Sequence, residues 1–182
     1  MSALVDRAIE VAGLAGVLEA RRAGAVGDAD AARLRTADLL ALGALADRVR
    51  AEEVGDEVRI YTCAGGADVA SVVLVPREGR ELTGLDLLRE VAMARLLGAR
   101  GTRVRVDWTR CGMELAQVAL GFGADELVGQ ITSKRGLPIA EGETLGVGKK
   151  SRHELAEVVK RKELEGFVRR AGRTPMFAQE AR

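Results

Sequence analysis

The chain has 182 residues, 28 of them basic and 27 acidic, and its net charge of +1 points neither to nucleic acid nor to an anionic surface. It is 47% hydrophobic but only 3% aromatic, so the core is aliphatic and alanine-rich, sized for one domain or one with a small appendage. No apolar run reaches the roughly 18 residues of a membrane helix, and two cysteines are too few for a disulfide framework and fit a reducing cytoplasm.

Asp6 and Glu10 interrupt the first apolar residues, so the N-terminus does not read as a signal peptide. Ser2 can cap a helix from Ala3 to about Ala23, with Leu4, Ala8, Val11, Ala12, Ala15 and Leu18 as its buried face. Gly24 to Gly27 break the chain. A short helix over Ala29 to Arg35 follows, then a stronger one from Ala37 to Glu53, which stops at Gly55. Residues 1–56 are thus expected to form an N-terminal helical segment, and residues 57–182 an α/β segment of the same compact domain.

Strands are expected over Val58 to Cys63 and Val69 to Pro76. Only Ala64, Gly65, Gly66, Ala67 and Asp68 separate them, too few for the crossover a parallel pair needs. If they are neighbours, they form an antiparallel hairpin with a Gly-Gly turn, and the sheet is mixed.

From Thr83 the pattern becomes helix, strand, helix, strand. Thr83 and Asp86 resemble a capping box, and Leu85, Leu88, Ala92, Met93 and Leu96 recur at helical spacing up to Gly98. Val104, Val106 and Trp108 alternate with charged residues, as a strand does. Gly112 opens a second helix that Gly121 and Gly123 end, and ADELVG follows as a further strand. Such alternation implies a parallel portion of sheet. After Gly129 the pattern fades through Leu145. Ser151 and Glu154 then form a capping box for a charged helix from Arg152 to about Arg170, ended by Gly172 and Pro175.

C-terminal strand ends carry ligands in barrel-like α/β proteins, so Asp107, Trp108, Asp125 and Glu126 are the candidate ligand-binding residues. Their structural reading is core or interface for Trp108 and helix-flanking charge for the acids. GETLGVGKKS fails as a phosphate loop: Glu143 stands where the first Gly belongs and Lys150 follows Lys149 where Ser or Thr is needed. Cys63 reads as a buried thiol rather than a nucleophile, having no histidine locally paired with it. His153 reads as surface. The basic residues from Lys149 to Arg173 are interleaved with acids and lack aromatic partners, which describes a solvated helix face, not a nucleic-acid site.

Two stretches resemble a known family. LRTADLLALGALADRVRAEEVGDEVRIY is similar to the opening of the radical-SAM enzymes of the futalosine route to menaquinone, aminofutalosine synthase and cyclic dehypoxanthinyl futalosine synthase, with the deazaflavin-cofactor synthases as close relatives. LLREVAMARLLGARGTRVRVDWTRCGMELAQVALGFGADELVG looks like the last two βα units of their barrel, and ELEGFVRRAGRTPM like their terminal segment. The resemblance implies a partial, half TIM-barrel-like mixed sheet with flanking helices. Those enzymes hold a 4Fe–4S cluster through a CxxxCxxC loop, where this chain reads YTCAGGADVA with Cys63 alone. Cys111 does not complete a three-thiolate set, so no metal site and no cofactor is expected of this chain. An acidic stretch of the family reads ITSKRG here. The expectation is a non-catalytic relative: an accessory, regulatory or metabolite-binding protein, cytoplasmic, a homo-oligomer (a dimer) or the partner of a full-length radical-SAM enzyme. The alternatives are a small cluster-independent enzyme using strand-end carboxylates, and a structural homo-oligomer.

Overall fold

The computed structural model describes residues 3–24, 26–61, 72–75, 82, 84–132 and 159–178. Four helices come first: α1 (Ala3–Val11), α2 (Ala15–Ala23), α3 (Asp28–Thr36) and α4 (Leu39–Glu53). The single long helix expected over Ala3 to Ala23 is therefore two. Gly13 takes φ +69, a left-handed conformation that ends a helix, and the turn lets Leu14 and Val17 be fully buried. Asp38 caps α4 by accepting from the Ala41 N–H at 2.9 Å.

Strands β1 (Glu57–Tyr61) and β2 (Val72–Val75) precede α5 (Gly84–Leu97) and β3 (Arg103–Asp107). Next come two short helices, α6 (Trp108–Cys111) and α7 (Met113–Ala119), a 3-10 turn over Leu120–Phe122, and β4 (Glu126–Val128). Thr83, Cys63, Ser151, His153 and the GETLGVGKKS stretch lie outside the described residues. The last described elements are β5 (Ile131–Thr132), β6 (Val159–Lys160), α8 (Arg161–Arg170) and β7 (Thr174–Phe177).

The α/β class and its barrel-like arrangement are as expected. The sheet has the order β2-β3-β4-β1-β7, and every pairing in it is parallel. β5 and β6 form a separate two-residue parallel ladder. The expected β1–β2 hairpin, and with it the mixed sheet, is corrected. β1 and β2 are not neighbours; two other strands stand between them, so the short spacing does not force an antiparallel pair. The later strand β4 lies beside β1, as the last strand lies beside the first where a barrel closes. β7 went unforeseen, because Pro175 reads as a helix stop. It is an edge strand, where proline is tolerated. Val159 and Lys160 are extended, so within the described residues the last helix begins at Arg161.

The sheet has two unlike faces. Val58 and Ile60 of β1, Val104 and Val106 of β3 and Leu127 of β4 are all buried, in one core that also takes Leu45 and Val49 of α4, Val91 and Leu96 of α5, and Ala116 of α7. Register places Arg59, Glu126 and Arg105 side by side on the other face.

With few aromatics to fill space, buried arginines join the layers. Arg21 of α2 is 4% exposed and grips Glu53 of α4 through two bonds of 2.7 and 2.9 Å. It also donates to the carbonyls of Leu96, Gly98 and Ala99 at the end of α5, the groups a helix C-terminus leaves unsatisfied. Half-buried Arg89 does the same for α3, donating to the carbonyls of Leu34, Arg35 and Ala37. Arg50 bonds Asp47, Asp56 and the Gly55 carbonyl.

Burial alone would raise the Glu53 carboxyl, but hydrogen bonds from Arg21 and the Gly101 N–H outweigh it and hold the group below its ordinary 4.5. A depressed carboxylate adds stability above its unfolded-state value and loses it as pH falls through the folded value. Thermal melts of the wild type should therefore fall steeply below about pH 4.5. Glu53→Gln should be less stable at neutral pH and should lose part of that acid dependence. A variant with an unchanged pH profile would show that Glu53 is not linked to folding.

Candidate functional site

The four acids and aromatics singled out by sequence occupy different levels of the sheet. Asp107 is the last residue of β3, at its C-terminal end, and Trp108 follows as the first residue of α6. Asp125 stands before β4 at the opposite end of the layer, and Glu126 is the first residue of β4, level with Arg105. Asp107 and Asp125 thus stand at opposite ends of the sheet. The sequence placed all of them at C-terminal strand ends because the strand in ADELVG could not be located to the residue; it begins at Glu126, so Asp125 precedes it.

Each acid is held by bonds of its own. Asp107 caps α6, with one carboxylate oxygen accepting from the Thr109 N–H at 2.9 Å and the Thr109 hydroxyl at 2.6 Å. Asp125 is fully buried. Its Oδ1 accepts from Arg95 and from the Val104 N–H at 2.8 Å, and its Oδ2 accepts from Arg103 at 2.6 Å. Glu126, 1% exposed, accepts from Arg105 Nε and Nη2 at 3.0 and 2.7 Å on the same oxygen, Oε2. Its Oε1 faces the Tyr61 hydroxyl at 3.5 Å and Arg59 at 4.0 Å. The Arg105 guanidinium also lies 4.1 Å from the centre of the Tyr61 ring.

Trp108 is fully buried, and its indole rests on Gly129, where an added Cβ would come within 2.3 Å of the ring. Among the described residues its Nε1–H has no hydrogen-bond partner. Cys111 is half-buried, with its Sγ 3.3 Å from the Asp107 carbonyl. Among the described residues no group of three or more His, Cys, Asp or Glu side chains stands close enough to hold a metal ion.

The residues that sequence reasoning missed are the arginines. Arg95 donates to Asp125 and to the carbonyls of Gly123 and Thr102, so one side chain closes the turns leading into β4 and β3. Burial pushes its guanidinium below the usual arginine value, and the Asp125 charge opposes that shift. A signal was present: RVRVD puts Arg103 and Arg105 on one face of β3, opposite the pair Asp125 and Glu126.

No family model matches the chain. Over 95 residues, 52% of this chain, it is 34% identical to the 5-amino-6-(D-ribitylamino)uracil–L-tyrosine 4-hydroxyphenyl transferase 2 of Methanosarcina barkeri. The match spans 22% of that enzyme's length. This similarity supports relatedness to the radical-SAM enzymes, the coarse class that the sequence resembles. It does not extend to the futalosine route: the relative's name describes a 4-hydroxyphenyl transfer. No helix among the described residues is long and apolar enough to cross a membrane.

Removing one partner of a buried ion pair leaves an uncompensated charge, at a cost of about 3–5 kcal/mol. Asp125→Ala should lose stability on that scale in chemical denaturation. Asp107→Ala, which removes only a cap, should lose about 0.5–2 kcal/mol. Equal losses in the two variants would show that Asp125 is not the deeper clamp.

Proposed function

We propose that this chain is a non-catalytic relative of the radical-SAM enzymes, an accessory subunit that binds a metabolite or docks on a full-length enzyme of that class. The observation that carries this reading is the use made of the strand-end acids. Asp107, Asp125 and Glu126 are each committed to a cap or to arginines that hold the sheet together, so they serve a scaffold rather than a reaction. The barrel-like order with β4 beside β1 is kept, while the whole chain has two cysteines where a cluster of this class takes three thiolates. A role beside the menaquinone enzymes, in a reducing cytoplasm, is the particular setting that the sequence resemblance suggests.

The same bonds weigh against a cluster-independent acid–base enzyme built on these carboxylates. A general base needs a carboxylate oxygen within reach of a substrate proton, whereas the Asp125 oxygens accept from Arg95, Arg103 and the Val104 N–H, and Glu126 Oε2 accepts twice from Arg105.

Anaerobic reconstitution with ferrous iron and sulfide tests the reading directly. The expected result is no stoichiometric 4Fe–4S chromophore, together with recovery of a full-length radical-SAM enzyme, at fixed stoichiometry, when the tagged chain is drawn from its native extract. A stable four-iron cluster in the isolated chain would overturn the proposal.

A further inference from the structure

The two edges of the sheet are built differently. At the β7 edge, the N–H groups of Thr174 and Ala178 point to β1, donating to the carbonyls of Asp56 and Ile60 at 3.0 Å each. Strand alternation then turns Pro175 and Phe177 outward. Proline has no N–H, so this edge shows an incoming strand one donor, that of Phe177, between Thr174 and Phe177. Proline at such a position is a known way to keep a sheet edge from pairing.

At the other edge, Val104 turns both its peptide groups toward β4. Its carbonyl accepts from the Asp125 N–H at 3.1 Å and its N–H donates to the Asp125 carboxylate. Arg103 and Arg105 therefore face β2, and the register Leu74↔Arg105 makes Val73 and Val75 the residues that answer them. Val72 and Leu74 are left with N–H and C=O pointing away from the sheet. No described strand pairs with them, and no proline or charge interrupts VVLV. The helix lying on this strand, α5, keeps Leu85 68% exposed.

We propose that β2 pairs with β2 of a second copy of this chain, antiparallel about a two-fold axis, to give a continuous ten-stranded sheet with five strands from each copy. Symmetry selects the partner. A β2-to-β7 pairing is head-to-tail and would propagate as an open filament, and Pro175 obstructs it. Pairing β2 with itself joins the edge left open among the described strands to an identical edge and closes after two copies. Both ends of the joined sheet are then β7 edges, each carrying its proline. The interface needs only backbone donors and acceptors at Val72 and Leu74, and these are self-complementary when the strands run antiparallel.

The experiment is native mass spectrometry and sedimentation of the full chain, wild type and Leu74→Pro. The Leu74 N–H makes no bond inside the sheet, so proline there mimics Pro175 and spares the β2–β3 ladder. The wild type should be a dimer, and Leu74→Pro a monomer with the wild-type circular dichroism. A monomeric wild type, or a folded Leu74→Pro variant that stays dimeric, would overturn the proposal. Should the variant fail to fold, amide hydrogen exchange in the wild type decides: the Leu74 N–H must exchange more slowly in the dimer than after dilution to monomer. An equal rate in the two states would place the interface elsewhere.

Discussion

The structure depends on one buried carboxylate. Asp125 touches every layer: its side chain takes Arg95 from α5 and Arg103 and the Val104 N–H from β3, and its carbonyl takes the Arg59 N–H from β1 at 3.0 Å. A fully buried acid is costly unless its charge is matched and its lone pairs are filled. Here both conditions are met by groups that only the folded arrangement brings together. Fixing Asp125 fixes β4 between β3 and β1, and that is the placement that makes the sheet barrel-like.

Arginine is the recurring instrument because the composition leaves little else. A core with few aromatics is made of small, smooth side chains and gains little from interlocking shapes. Arg21, Arg50, Arg89 and Arg95 supply reach instead. Arg21, Arg89 and Arg95 reach from one element to the carbonyls or carboxylates of another, and Arg50 ties the end of α4 to the turn that follows it. The guanidinium fork suits this role, since one side chain can serve a carboxylate and two turn carbonyls together, as Arg95 does.

This economy bears on function. Asp107, at the strand end where an α/β protein would hold a ligand, caps α6, while Asp125 and Glu126, at the start of β4, are bonded to arginines of the scaffold. The asymmetry of the sheet edges belongs to the same picture. One edge carries Pro175, and the other runs as VVLV, unpaired among the described strands, which is where the proposed dimer extends the sheet.

By itself the sequence determined the local elements wherever a periodic pattern and its stop signals agreed. Helices α3, α4, α5 and α7 and strand β3 follow from the spacing of Leu, Val and Ala and from Gly98, Gly112 and Gly123. It also determined the α/β class, and two of its stretches carry the resemblance to the radical-SAM enzymes. Only the tertiary structure decided which strands are neighbours. Strand pairing is a long-range choice, and the five residues between two candidate strands cannot show that β3 and β4 lie between them. Nor could spacing show that Pro175 lies within an edge strand, or that Asp125 is clamped rather than exposed. Those facts depend on Asp56, Arg95 and Arg103, residues distant along the chain that only packing sets against them.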